Sequence, residues 1–154
     1  MSVNIVLFQP EIPGNTGNIA RMCAATGCSL HLVRPLGFST DDKHLKRAGL
    51  DYWHLVDVFY YDSFAEVEAK FQGHRFFLNT TKGQKAHSEI AFQKEDVIVF
   101  GRETAGLPQE IMDRYPDSWL RIPMIEDARS LNLSNAVAIV AYEALRQIGY
   151  PGMR

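Results

Sequence analysis

Short apolar runs, each followed by a polar break rich in glycine, asparagine or proline, recur along this chain. Residues 3–8 (VNIVLF) and 29–33 (SLHLV) read as buried strands. Between them Ile19, Met22, Cys23 and Thr26 share one face of a helix, with Gly27 as its stop. Strand, helix, strand predicts a parallel sheet. The rhythm continues with strands over 54–59, 75–81, 97–100 and 119–122. Ser63 opens a helix carrying Phe64, Val67, Glu68 and Phe71 at helical spacing, and Pro108 is placed to start another. Ser39 or Thr40 caps a short helix with Asp41 and Asp42 in its first turn. The last apolar run covers more than one helix face: Val137, Ala138, Ile139, Val140, Ala141, Ala144, Leu145 and Ile148. Such a helix is buried on two sides, one against the sheet and one against something else. Ahead of it Ser130, Asn132, Ser134 and Asn135 crowd hydroxyl and amide groups, which suit a helix cap or a polar pocket. The expected fold is α/β, a single domain over residues 1–154, with a parallel sheet flanked by helices.

The length of 154 residues suits one domain, and 46% hydrophobic with 22% charged residues describe a soluble globular chain. No apolar run spans a bilayer, and the N-terminus lacks the basic segment of a signal peptide. Cys23 and Cys28 are too few for a disulfide framework or a zinc site, which points to packed thiols in a reducing cytoplasm. A net charge of −2 argues against a coat of basic charge but leaves room for local clusters. The densest is Lys43, His44, Lys46 and Arg47, a solvated face or a phosphate patch. Tyr52 and Trp53 lie beside it, to stack on a base or to fill the core.

Three strands end in chemistry-bearing loops: Asn79-Thr80-Thr81, Gly101-Arg102-Glu103, and Pro123 onward. In a parallel sheet these ends share one edge, where ligands bind. Gly101 and Gly106 let backbone approach a ligand closely. Gly14 and Gly17 do not make G-x-G-x-x-G, and no G-K-[ST] follows, so dinucleotide and P-loop sites are disfavoured. The expectation is a site of backbone and small polar groups with little fixed charge, suited to an adenosine-like ligand rather than a triphosphate. Asn15 and Asn18 are candidate caps of the first helix. Arg21 lies opposite Ile19 and Cys23, near the end of the first strand.

Asn15 to Arg21 (NTGNIAR), Phe100 to Leu107 (FGRETAGL), and Arg121-Ile122-Pro123-Met124 through Ser130-Leu131-Asn132-Leu133-Ser134-Asn135-Ala136-Val137 resemble the three motifs of the SPOUT RNA 2′-O-ribose methyltransferases. Pro10 to Pro13, Gly49 to Tyr52 and Thr80 to Gly83 are similar to the small members that modify the tRNA wobble nucleotide. The resemblance covers almost the whole chain. It implies a trefoil knot in the C-terminal half, with knot and cofactor site formed by about residues 75–150, and a homodimer with Tyr142 at its interface. It implies S-adenosylmethionine, with S-adenosylhomocysteine as product, held by Asn79, Thr80, Gly101, Ile122, Met124, Ser130, Leu131 and Asn135, Glu103 organising the knot around it, and no metal. Arg21, near Asn15, is the implied catalytic residue, with Ser130 and Asn132. Substrate tRNA would cross the dimer with Arg21, Lys43, Lys46 and Arg47 on its backbone, although similar sequences carry arginines where this one has His44 and Lys46. The implied reaction is methyl transfer to the ribose 2′-OH of cytidine or modified uridine 34 of leucine tRNAs. A guanidinium is a poor base, its pKa being roughly 12 or higher. Arg21 is therefore either a perturbed base or a cation that polarises the hydroxyl or anchors a phosphate, the proton going to solvent or Ser130. Two other readings stand beside this one: an RNA-binding dimer that holds the cofactor without turnover, and, from composition alone, a flavodoxin-like nucleotide-binding domain.

Overall fold

The computed structural model describes residues 2–39 and 54–154. Its strands are β1 (Asn4–Phe8), β2 (Ser29–Val33), β3 (Val58–Tyr61), β4 (Phe76–Asn79), β5 (Lys85–Ala86), β6 (Val97–Phe100) and β7 (Trp119–Arg121). Its helices are α1 (Pro13–Thr26), α2 (Phe64–Lys70), α3 (Gln109–Asp113) and α4 (Leu133–Gln147). The strands form one parallel sheet in the order β3-β2-β1-β6-β4-β7-β5. Strands β2 and β3 are added outward on one side of β1 and the later strands lie on its other side, so the loops after β4, β6 and β7 gather on one half of the sheet edge.

Alternation along each strand divides the core into two layers. Ile5, Leu7, Leu30, Leu32, Ile98, Phe100 and Leu120 pack against α1 and α4. Val6, Phe8, Val33, Leu78, Val97 and Val99 pack against Phe64 and Val67 of α2 and Ile111 and Met112 of α3. The last helix is buried on one side only, through Val137, Val140, Ala141, Ala144 and Leu145; the second apolar face that the sequence pattern expects to be buried holds Ile139 and Tyr142, which are 40% and 42% exposed. Cys23 and Cys28 are free thiols packed in the first layer.

Several boundaries differ from the sequence pattern. The third strand runs later than 54–59, because pairing with β2 aligns Leu30 with Val58 and leaves 54–56 in a turn. Two-residue β5 carries no apolar signature and exists through its ladder to Leu120 and Arg121 of β7. Helix α1 begins at Pro13, so Asn15 and Asn18 are helical rather than capping residues; Ile12 is the N-cap and offers no side-chain acceptor. The expected helix after Ser39, with Lys43, His44, Lys46, Arg47, Tyr52 and Trp53, lies outside the described residues.

A polar chain crosses the second layer. Ser29 Oγ donates to Asn4 Oδ1 at 2.7 Å, so it accepts from His31 Nε2 at 2.8 Å, and His31 Nδ1 accepts from the Tyr61 hydroxyl at 2.8 Å. A neutral imidazole protonated at Nε2 serves both bonds. Burial, with Lys70 a smaller contributor, lowers the His31 pKa to about 4. The unfolded chain takes up this proton near pH 6.5 and the folded chain only near 4, so stability rises with pH across that window. We expect His31 to account for a fall of up to about 3 kcal/mol between pH 6.5 and 4. Urea melts across the window, with NMR titration of the imidazole, check this; a His31 ring that protonates near pH 6.5 in the folded protein contradicts it.

Candidate functional site

The loops that follow β4, β6 and β7 enclose a cavity of about 640 Å³. Asn79 and Thr80 line it after β4, Gly101 and Glu103 after β6, Ile122 and Met124 after β7, and Ser130, Leu131 and Asn132 on the approach to α4. Asn15 closes it from α1. The convergence read from the three strand ends is thus realised in one cavity. The expectation of little fixed charge is not: Lys82, Arg102, Arg121 and Arg129 line it as well. Arg102 stands in a strand end already read, whereas Lys82 follows the small polar residues after β4, Arg129 precedes those before α4, and Arg121 lies inside a strand.

Glu103 lines the cavity, and its carboxylate is held by partners at the start of α1. Its carboxylate accepts the backbone N–H groups of Glu11 and Ile12, each at 2.9 Å, and Asn15 Nδ2 at 3.4 Å. The N-cap Ile12 has no side-chain acceptor, and a distant carboxylate takes the N–H of Ile12 and of Glu11 before it, at the helix end where the dipole favours negative charge. In return Thr104 donates from N and Oγ1 to Glu11 Oε1 at 3.0 and 2.9 Å. The Thr104 backbone bond, then its hydroxyl, holds the Glu11 carboxyl below the usual carboxylate range.

Asn15 then passes the order on. Its Oδ1 accepts from Asn132 Nδ2 at 3.1 Å. Asn132 is the N-cap of α4, and its Oδ1 accepts from Ser134 N at 2.9 Å and Ser134 Oγ at 2.6 Å. Such a cap stabilises a helix by about 1 kcal/mol. The chain Glu103–Asn15–Asn132 fixes both amide orientations and ties the N-termini of α1 and α4 together beside the cavity.

The loop after β6 is closed by Arg102 N donating to Gly106 O at 3.2 Å and Gly106 N donating to Arg102 O at 3.0 Å. Arg102 Nε also donates to Gly106 O at 3.2 Å, and its guanidinium lies 5.5 Å from the Phe8 ring centroid. Arg102 is therefore bound up with its own loop. Gly101 has to be glycine here: a Cβ would stand 2.4 Å from the Gly106 carbonyl carbon.

Not every expected site residue reaches this cavity. Asn135 is exposed in the first turn of α4, where its backbone N–H donates to Asn132 Oδ1 at 3.4 Å. Arg21 is exposed on α1, six residues past Asn15 and so about 9 Å further along the axis, outside the lining. Tyr142 is on the exposed face of α4. Lys43, Lys46 and Arg47 are outside the described residues. Ile12, Thr104, Leu107 and Ala136 line the cavity and carried no signal of function beyond their place in the motifs.

The cavity suits an adenosine-type ligand on two grounds. Asn79 Oδ1 is buried with no hydrogen-bond partner among the described residues, an acceptor awaiting a donor. The backbone of Gly101, Gly106 and Leu107, packed too closely to admit a Cβ at 101, lines the cavity and offers peptide groups in place of side chains. Among the described residues no group of three or more His, Cys, Asp or Glu side chains is arranged to hold a metal ion, and no helix is long and apolar enough to cross a membrane.

Known methyltransferases are similar to this chain in sequence and shape. The tRNA (cytidine(34)-2'-O)-methyltransferase of Yersinia pestis is 55% identical over 156 residues, covering 97% of this chain and 96% of that one. A solved structure on the 2-OH methylation of C/U34 on tRNA is 49% identical at a TM-score of 0.90, covering 95% of each chain. The SpoU methyltransferase AviRb from Streptomyces viridochromogenes, solved in complex with the cofactor AdoMet, is 25% identical at a TM-score of 0.83, covering 99% of this chain and 59% of that one. Residues 2–142 match the SpoU rRNA Methylase family, and with relatives this similar over nearly its whole length the chain belongs to that family of methyltransferases.

Proposed function

We propose that this protein is an S-adenosylmethionine-dependent tRNA methyltransferase. It methylates the ribose 2′-OH of the wobble nucleotide, cytidine or modified uridine 34, of leucine tRNAs in the cytoplasm. The observation that carries the reading is the single cavity into which the strand-end loops bring Asn79, Gly101, Ile122, Met124, Ser130 and Asn132. The similarity to the tRNA (cytidine(34)-2'-O)-methyltransferase of Yersinia pestis supports the position modified. The proposal includes a trefoil knot through residues 75–150, supported by the close passage of the loop after β4 under β7, where a Cβ on Gly83 would stand 2.4 Å from the Leu120 carbonyl carbon. It also includes a homodimer, supported by the exposed Ile139 and Tyr142 on α4.

When bound, S-adenosylmethionine supplies a methyl group already activated on its sulfonium. Backbone at Gly101, Ile122 and Leu131 and the free Asn79 Oδ1 would hold it, with Met124 and Thr80 packing around it. What remains for the chain is alignment, which can contribute about 7 kcal/mol or more to lowering a barrier. The Glu103–Asn15–Asn132 relay holds the two helix N-termini, and with them Ser130, in a fixed relation before substrate arrives. Arg21 acts as a fixed cation that anchors the phosphate beside the target ribose, since a guanidinium does not give up its proton in proteins. The hydroxyl proton leaves to solvent, directly or relayed through the Ser130 hydroxyl, which passes its own proton on to water. Purified protein incubated with labelled S-adenosylmethionine and total tRNA should place one 2′-O-methyl at nucleotide 34 of leucine tRNAs, mapped by nuclease digestion and mass spectrometry. Cofactor binding without ribose methylation would leave an RNA-binding dimer instead, and label at 34 of other tRNAs would remove the leucine assignment.

A further inference from the structure

Three exposed cations reach the mouth of the cavity from three separate segments: Lys82 after β4, Arg121 at the end of β7 and Arg129 in the loop before α4. Their side chains have no hydrogen-bond or ion-pair partner among the described residues. That sets them apart from Arg34, Arg75, Arg114 and Arg146, each on a carboxylate. The acids nearest in sequence, Glu126 and Asp127, are exposed and do not line the cavity. Among the described residues the one carboxylate that does, Glu103, is already taken by backbone N–H groups of Glu11 and Ile12. A chain of net charge −2 thus gathers unpaired positive charge at one opening.

Like charges held together repel and persist where an anion is meant to arrive. The methionine carboxylate of a cofactor is one compact anion and satisfies one fork of donors. Three cations on different loops, all in water, match an extended anion passing over the opening. We propose that Lys82, Arg121 and Arg129 form a phosphate-binding lip that positions the RNA strand flanking the target nucleotide. Arg102 is not part of it, being tied to Gly106 and to the Phe8 ring. The lip is separate in sequence from the basic cluster at 43–47. The inference rests on the reading that the substrate is tRNA.

The test compares wild type with Lys82→Gln/Arg121→Gln/Arg129→Gln, measuring tRNA affinity across a salt series and S-adenosylhomocysteine affinity by calorimetry. Removing one phosphate partner reduces the slope of log affinity against log salt by roughly 0.7–0.9, so the triple variant should flatten it by about two units. S-adenosylhomocysteine affinity should stay within about twofold, and Arg121→Lys/Arg129→Lys, which keeps the charge, should keep most of the slope. If folding of the triple variant is impaired, Arg121→Gln and Arg129→Gln alone should each remove somewhat less than one unit. An unchanged slope overturns the proposal. So does a drop in S-adenosylhomocysteine affinity as large as the drop for tRNA, which would assign the lip to the cofactor carboxylate. A wild-type protein that methylates no tRNA instead overturns the functional reading beneath it.

Discussion

Gly101→Ala is expected to lower cofactor affinity at least tenfold and to destabilise the fold by about 1–3 kcal/mol, the usual range for forced overpacking. The added methyl would lie 2.4 Å from the Gly106 carbonyl carbon and 2.5 Å from Leu107 N, both backbone atoms. No rotamer change relieves such a clash, so one side of the loop has to move. That loop is closed by paired Arg102–Gly106 backbone hydrogen bonds, and it carries Glu103, the distant cap of α1. Displacing it therefore loosens the cavity wall and the relay to Asn15 and Asn132 together. Gly14 provides the contrast. It lies in the first turn of α1, and a Cβ there meets nothing within 4 Å, so Gly14→Ala should be neutral or stabilising by up to about 1 kcal/mol. Calorimetry with S-adenosylhomocysteine and thermal melts of both variants check the pair. Equal behaviour of the two would mean that the crowding at Gly101 relaxes at no cost.

Which parts of this molecule were legible in the sequence follows from how local their causes are. Residues 97–100 are four apolar residues between an acidic turn and a glycine, and the strand falls there without adjustment. Gly27 likewise ends α1 in the left-handed conformation, at φ 79°. The chemistry-bearing strand ends were legible because a parallel sheet puts its C-terminal ends on one edge whatever the loops do. Strand β5 was not legible: Lys85 and Ala86 have no strand signature and are held by β7, roughly 35 residues further along the chain. The cap of α1 was hidden for the same reason. Asn15 has the right chemistry for a local cap, but Pro13 starts the helix earlier and the acceptor is Glu103. Nothing local signals that the short polar loops sit among cations, because Lys82, Arg121 and Arg129 come together only through the pairing of β4 with β7 and the loops beyond them.

Arg21→Ala should leave S-adenosylhomocysteine affinity within about twofold of wild type while single-turnover methyl transfer falls by about 100- to 1,000-fold, the scale of removing one charge-stabilising group from an active site. The separation follows from position. Asn15 lines the cavity, whereas Arg21, nearly two turns on along the same helix, is exposed and outside the lining. A residue so placed can act on substrate approaching over the mouth without touching what lies within. Arg21→Lys distinguishes the form of that action. If the charge alone anchors a phosphate, lysine recovers much of the rate; if a two-pronged guanidinium grip is needed, it does not. Because α1 is held at its N-terminus by Glu103 and packs on α4 through its buried face, the exposed side chain at 21 is expected to change without moving the cavity. Affinity and rate reduced in equal measure would place Arg21 in cofactor binding or in the fold, and would end its assignment to the reacting sugar.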